Sequence, residues 1–120
     1  MKILLIHNHY MKPGGEDRVF SSEVDLLKNK GHEVLEYTDT NLRIKDLNVI
    51  SMAMQTIWSK HTRKKLLKIL REFKPDVAHF HNTFLLISPS AYYACKEMKV
   101  PVVQTLHNYR LYCPGATFFR

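Results

Sequence analysis

Four short apolar runs, each followed by a stretch with helical periodicity or by the end of the chain, constrain this sequence more than any other feature. KILLI (2–6) is continuously apolar and of strand length. Such a run suits a strand covered on both faces, as in a parallel sheet. HEVLEYTD (32–39), PDVAHFHN (75–82) and PVVQTLHN (101–108) read as three further strands, the last two entered through a proline. Between them, residues 16–31 carry Phe20, Val24 and Leu27 at helical spacing. Glu16 and Asp17 suit the positive end of that helix, and Gly31 stops it. NVISMAMQTIW (48–58) predicts a second helix. Residues 61–73 predict a third, with Leu66, Leu67, Leu70 and Phe73 on one side, and 88–99 a fourth with a Ser-Pro start. The order β-α-β-α-α-β-α-β implies an α/β fold: a parallel sheet flanked by helices, joined by right-handed crossovers.

One such domain fits the 120 residues, and the expected organisation is a single unit over 1–120. A composition of 45% hydrophobic and 24% charged residues excludes a disordered chain. No apolar run approaches the roughly 20 residues of a membrane span. The N-terminus has no small-residue cleavage site, so it reads as a first strand and not as a signal peptide. Cys95 and Cys113 form no CxxC, which favours a reducing, cytoplasmic setting. The chain stops at YCPGATFFR without a closing helix, as one half of a larger protein would.

In doubly wound sheets, ligands bind beyond the carboxyl ends of the strands. The polar groups of this chain recur there. His7, Asn8 and His9 follow the first strand, and Thr38, Asp39 and Thr40 the second. His79, Phe80, His81 and Asn82 end the third, and His107, Asn108, Tyr109 and Arg110 follow the fourth. Five of seven histidines fall on this edge, which predicts a site along it. Gly14 and Gly15 precede the first helix. Either they admit backbone N–H groups to an anion such as a diphosphate, or the loop needs positive φ at one of them. A P-loop and a dinucleotide fingerprint are both excluded by spacing. Glu16 and Asp17 suit sugar hydroxyls better than phosphate alone.

His7/His9 and His79/His81 are H-x-H pairs. Side chains two apart on a strand share a face, so each pair is a potential metal chelate and the basis of a metal-dependent hydrolase. Against that, His9 falls past the expected strand end, and no carboxylate ligand set is evident. His7 and His79 read as buried, hydrogen-bonded histidines; His81 and His107 are the better ligand contacts. Cys95 falls on the apolar side of its helix and reads as core.

Net charge is +7, and the segment 59–74 supplies +6 of it, from seven Lys/Arg and one Glu. This is a local patch: either the solvated face of a crossover helix or a surface for an anionic membrane. Aromatic residues near it are only Trp58 and Phe73, so nucleic acid is not an expected partner.

Three segments together, MKILLIHNHYMKPGGEDRVFSSEVDLLKNKGHEV, KPDVAHFHNTF and PVVQTLHNYRLYCPG, resemble the N-terminal domain of family 4 glycosyltransferases. The likeness spans nearly all of the chain, and P-G-G-E-D and L-H-N-Y-R-L-Y-C-P are its strongest elements. It implies a Rossmann-like domain, one half of a two-domain GT-B enzyme that transfers a sugar from a nucleotide-sugar to an acceptor hydroxyl with retention and without a metal. The second half, which would hold the nucleotide and an E-x7-E pair, is not among these residues, so the chain alone is expected to be inert.

Residue by residue, the resemblance implies that Gly14 and Gly15 lie against the donor diphosphate. His107 would sit near the transferring sugar as the catalytic group. Asn8, Glu16, His81, Asn82 and Tyr109 would face the acceptor, and Arg110 phosphate or a charged acceptor. Lys60–Lys74 would dock the domain peripherally at the inner face of the membrane, from the cytoplasm, on a lipid-linked acceptor for cell-surface polysaccharide or glycolipid synthesis. A standalone Rossmann-like binding module without chemistry is the alternative from a different class.

Overall fold

The computed structural model describes residues 1–9, 14–40, 48–84, 86–109 and 112–113. Eight elements follow in the expected order: β1 (Lys2–His9), α1 (Gly15–Asn29), β2 (Glu33–Thr40), α2 (Val49–Ile57), α3 (Lys60–Phe73), β3 (Val77–Phe80), α4 (Ser90–Glu97) and β4 (Val102–Gln104). The strands form one parallel sheet in the order β2-β1-β3-β4. This is the α/β, Rossmann-like arrangement that the alternating pattern predicts.

The strand order fixes the layering. From β1 the chain moves one way to β2, then returns across β1 to β3 and onward to β4. Right-handed crossovers in opposite directions put their helices on opposite faces. On one face α3 and α4 bury Leu66, Leu67, Leu70, Ala91, Ala94 and Cys95 against Leu4, Ile6, Ala78 and Phe80. On the other, Phe20 and Val24 of α1 cover Ile3 and Leu5. The reversal of direction lies between β1 and β3, and the crevice at their carboxyl ends is where this architecture takes ligands.

Local signals explain the boundaries. α1 ends at Gly31, whose φ of 81° is the left-handed conformation that glycine adopts at no steric cost. Asn48 and Ser59 cap α2 and α3 through their side-chain oxygens, which accept from Ser51 and Thr62 N–H. Several boundaries differ from expectation: β3 covers only Val77–Phe80 of the expected 75–82, β4 stops at Gln104 rather than 108, and β1 is longer than expected. β1 does not end at Ile6 but runs on to His9, which pairs with Thr40 of β2. The polar residues 7–9 keep the strand because β2 is equally long and continues the ladder beside them. His9 therefore lies inside the strand, on the same face as His7.

Candidate functional site

Three elements converge at the crevice. α1 starts there with Gly14 as its N-cap. Neither Gly14 (φ −131°) nor Gly15 has positive φ, so the reading that the loop needs left-handed backbone is overturned. Among the described residues, nothing lies within 4 Å of where a Cβ would sit on either glycine. The Gly14 N–H donates to Asp17 Oδ2 at 2.7 Å.

The inner face of α1 carries more than apolar residues. Asp17, Phe20, Glu23 and Val24 share it, and the two acids meet the two H-x-H pairs. Asp17 Oδ1 lies 3.0 Å from His7 Nε2 and 2.6 Å from His9 Nδ1. Glu23 Oε1 lies 2.6 Å from His79 Nδ1, and its Oε2 lies 3.5 Å from His81 Nε2. Phe20 stacks on His7, with centroids 4.7 Å apart, and meets His81 edge-on at 5.3 Å. The third element is the segment after β4. Thr105 Oγ1 is 2.8 Å from His79 Nε2, and His107 Nε2 is 3.0 Å from His81 Nδ1. Asn108 Nδ2 donates to Glu16 Oε1 at 3.2 Å, tying the start of α1 to the end of β4.

The electrostatics follow from burial. His81, whose side chain is wholly buried, has its pKa lowered to about 4, first by desolvation and then by the neighbouring His79, His107 and His7. Burial also lowers His7, outweighing the opposing pull of Asp17. For Asp17, desolvation alone would raise the pKa. The hydrogen bonds from Gly14 N–H, His7 and His9 prevail and hold it down at about 2. At neutral pH the crevice therefore contains an ionised Asp17 beside neutral His7 and His81.

Two groups could hold a metal ion by proximity: His7, His9 and Asp17, and Glu23, His79 and His81. The expectation that no carboxylate accompanies the H-x-H pairs is thus corrected, because α1 brings one to each. In the first group, Asn82 N–H donates to His7 Nδ1 at 3.4 Å, which favours the proton on the Nε2 that a metal would need bare. In both groups the carboxylate is already engaged by imidazole.

Every expected site residue except Arg110 has a definite place. Gly14, Gly15 and Glu16 gather with His81 and His107 along one rim. Glu16 Oε2 is buried and has no hydrogen-bond partner among the described residues. Asn8 and Asn82 are buried and knit the ends of β1 and β3 together. Asn8 N–H donates to Asn82 O at 2.7 Å, Asn82 Nδ2 donates to Asn8 O at 2.9 Å, and Asn8 Nδ2 donates to Phe84 O. Tyr109 is exposed. Arg110 lies outside the described residues. A cavity of about 540 Å³ opens beside the rim, lined by His81, Asn82, Tyr92, Leu106, His107 and Asn108 among others.

Sequence reasoning missed Glu23 altogether, and it read Asp17 as a helix-start acid suited to sugar hydroxyls, not as the partner of His7 and His9. The signal was present: both fall on the same helical face as Phe20 and Val24, where an unpaired acid would be costly to bury.

The Glycosyltransferase Family 4 model matches residues 13–117. No curated protein and no solved structure matches the chain.

Proposed function

Because this chain belongs to Glycosyltransferase Family 4, we propose that it is the N-terminal, acceptor-side half of a retaining GT-B enzyme. In this reading it transfers a hexose from a nucleotide-sugar to a hydroxyl acceptor in polysaccharide or glycolipid synthesis, and a C-terminal domain completes the donor site. One observation carries the reading. The Glu16–Asn108 hydrogen bond and the His81–His107 contact join the glycine turn to a cavity of about 540 Å³. A diphosphate at Gly14–Gly15 and an acceptor in that cavity would then meet at His107.

The chemistry assigns roles to atoms. The bare glycines let a diphosphate approach the positive end of α1. The unpartnered Glu16 Oε2 is an acceptor suited to a sugar hydroxyl. The partly buried His107 imidazole, facing the cavity, can hydrogen-bond a sugar hydroxyl and support positive charge developing at the anomeric carbon. His81 and Asn82 line the acceptor side, Tyr109 lies further along the segment that carries His107, and Arg110 is assigned to phosphate or a charged acceptor. Asn8 acts at one remove, by holding Asn82. In this reading transfer needs no metal.

The reading extends to a membrane. A groove of about 860 Å³ between α3 and α4 is lined by Lys60, Arg63, Lys64, Arg71 and Lys96. On α2, Val49, Ile50, Met54 and Ile57 are exposed. Apolar and basic groups side by side suit the anionic, cytoplasmic surface that presents a lipid-linked acceptor. No helix among the described residues is long and apolar enough to cross a membrane.

The test is kinetic. His107→Ala in the enzyme carrying this domain should lower kcat by more than about tenfold, the scale of a lost transition-state contact. An unchanged kcat would remove His107 from the reaction. The 120-residue chain alone, mixed with nucleotide-sugars and acceptor, should show no turnover. Measurable transfer would end the two-half account.

A further inference from the structure

Glu23 is the one carboxylate that faces both H-x-H partners of β3, and no role in transfer has yet been given to it. Its Oε1 is 2.6 Å from His79 Nδ1. A carboxylate only accepts, so His79 Nδ1 carries the proton. The other ring nitrogen, Nε2, then accepts from the Thr105 hydroxyl at 2.8 Å. This pins Glu23 in place, with its second oxygen turned toward His81.

His81 Nε2 is buried, has no hydrogen-bond partner, and lies 3.5 Å from Glu23 Oε2. A lone pair directed at the partly buried Glu23 carboxylate is repelled; an N–H is attracted. His81 therefore keeps its proton on Nε2. Its Nδ1 is left as an acceptor, and the group facing it at 3.0 Å is His107 Nε2. That nitrogen must donate. The His107 proton is thereby fixed on Nε2, and Nδ1 is bare.

Among the described residues, the other groups packed against His81 are rings. From α1, Phe20 meets His81 edge-on. From β1, the neutral His7 lies 6.1 Å away. From β3, His79 is tilted against it at 4.5 Å. Beyond β4, His107 stacks on it at 5.2 Å. Gln104 meets His81 only at the backbone carbonyl, its Nε2 donating there and to Thr105 O while its Oε1 accepts from Tyr92.

We infer that Glu23 is a positioning residue: acting through His81, it sets the tautomer of His107 so that Nδ1 is the nitrogen available to a sugar hydroxyl. This rests on the proposed role of His107 in transfer, but the tautomer itself does not.

The test exchanges one atom. In Glu23→Gln the carboxamide oxygen can keep His79, while its NH2 must donate to His81 Nε2. His81 would move its proton to Nδ1 and donate to His107 Nε2, and His107 would switch to the Nδ1–H form. Long-range 1H–15N correlation spectra of the histidine-labelled chain at neutral pH read this directly. The expected result is His107 protonated at Nε2 in the native chain and at Nδ1 in Glu23→Gln. A native His107 protonated at Nδ1, or one that Glu23→Gln leaves unchanged, overturns the inference. Should Glu23→Gln fail to fold, the native spectrum alone decides, since His81 must show its proton on Nε2. Neither readout needs transfer activity, so a failed relay and a failed transferase reading are separable.

Discussion

Alternate residues of the two central strands meet opposite environments. Leu4, Ile6, Ala78 and Phe80 point into the layer of α3 and α4, where aliphatic and aromatic groups pack and Phe80 stacks on Tyr92 at 4.3 Å. Their neighbours Ile3 and Leu5 point toward α1, and so do His7, His9, His79 and His81. The second face begins apolar under Val24 and becomes imidazole toward the carboxyl ends of the strands, over a distance of only a few residues. Burying imidazoles costs free energy that leucines would not have cost. The sequence accepts that cost on one face alone, and α1 answers it with Asp17 and Glu23. The first face holds the domain together; the second is where stability gives way to chemistry.

The largest effect expected from this contrast lies on the apolar face. Phe80→Ala should cost about 3–5 kcal/mol in urea unfolding, the range for deleting a buried aromatic ring. A loss under about 1 kcal/mol would mean that this face is not the core.

The polar face should instead reveal itself through pH. His81 protonates near 6.5 when unfolded and near 4 when folded. The unfolded chain thus binds the extra proton first, and stability falls as pH drops from about 6.5 to about 4, by roughly 3 kcal/mol. His81→Leu should remove most of that fall. Asp17 acts in a lower window. Its folded pKa of about 2 lies below the unfolded 3.8. Its stabilisation is complete above about 3.8 and is lost as pH falls toward 2, on the order of 2 kcal/mol. Equilibrium unfolding at stepped pH separates the two. A flat profile between pH 7 and 4 would erase the difference between the faces.

The smallest effect is chemical and leaves stability untouched. Burial raises the Cys95 thiol to about 11. A thiol reagent at pH 8 should therefore label Cys95 at least ~100-fold more slowly in the native chain than after unfolding. Fast native labelling would show that the α4 side opens.

How far the sequence could be read follows the same division. Elements were legible because apolar periodicity reports burial, and burial on the α3–α4 face is mostly apolar, with Thr62 of α3 and Ser90 of α4 as hydrogen-bonded exceptions. Leu66, Leu67, Leu70 and Cys95 sit where their spacing puts them. The rim was legible too, because histidines at strand ends announce themselves. Their partners were not. Asp17 reads locally as a helix-start acid, and only the packing of α1 onto β1 turns it toward His7 and His9. The extension of β1 to His9 was hidden for a similar reason. A polar strand end is held by its neighbour's ladder, which no local pattern encodes. Of the two readings left open at Gly14 and Gly15, positive φ is the one that fails, since glycine is permitted that conformation but not obliged to adopt it.

The central claim is that donor and acceptor meet on the α1 side of the crevice. A titration of the 15N-labelled chain with a nucleotide-sugar, followed by 1H–15N correlation spectra, tests it most directly. Binding at millimolar ligand should shift Gly14, Gly15, Glu16, His107 and Asn108, and leave Leu66, Leu70 and Ala94 of the opposite layer unmoved. Shifts confined to α3 and α4, or no shifts at all, would contradict the account.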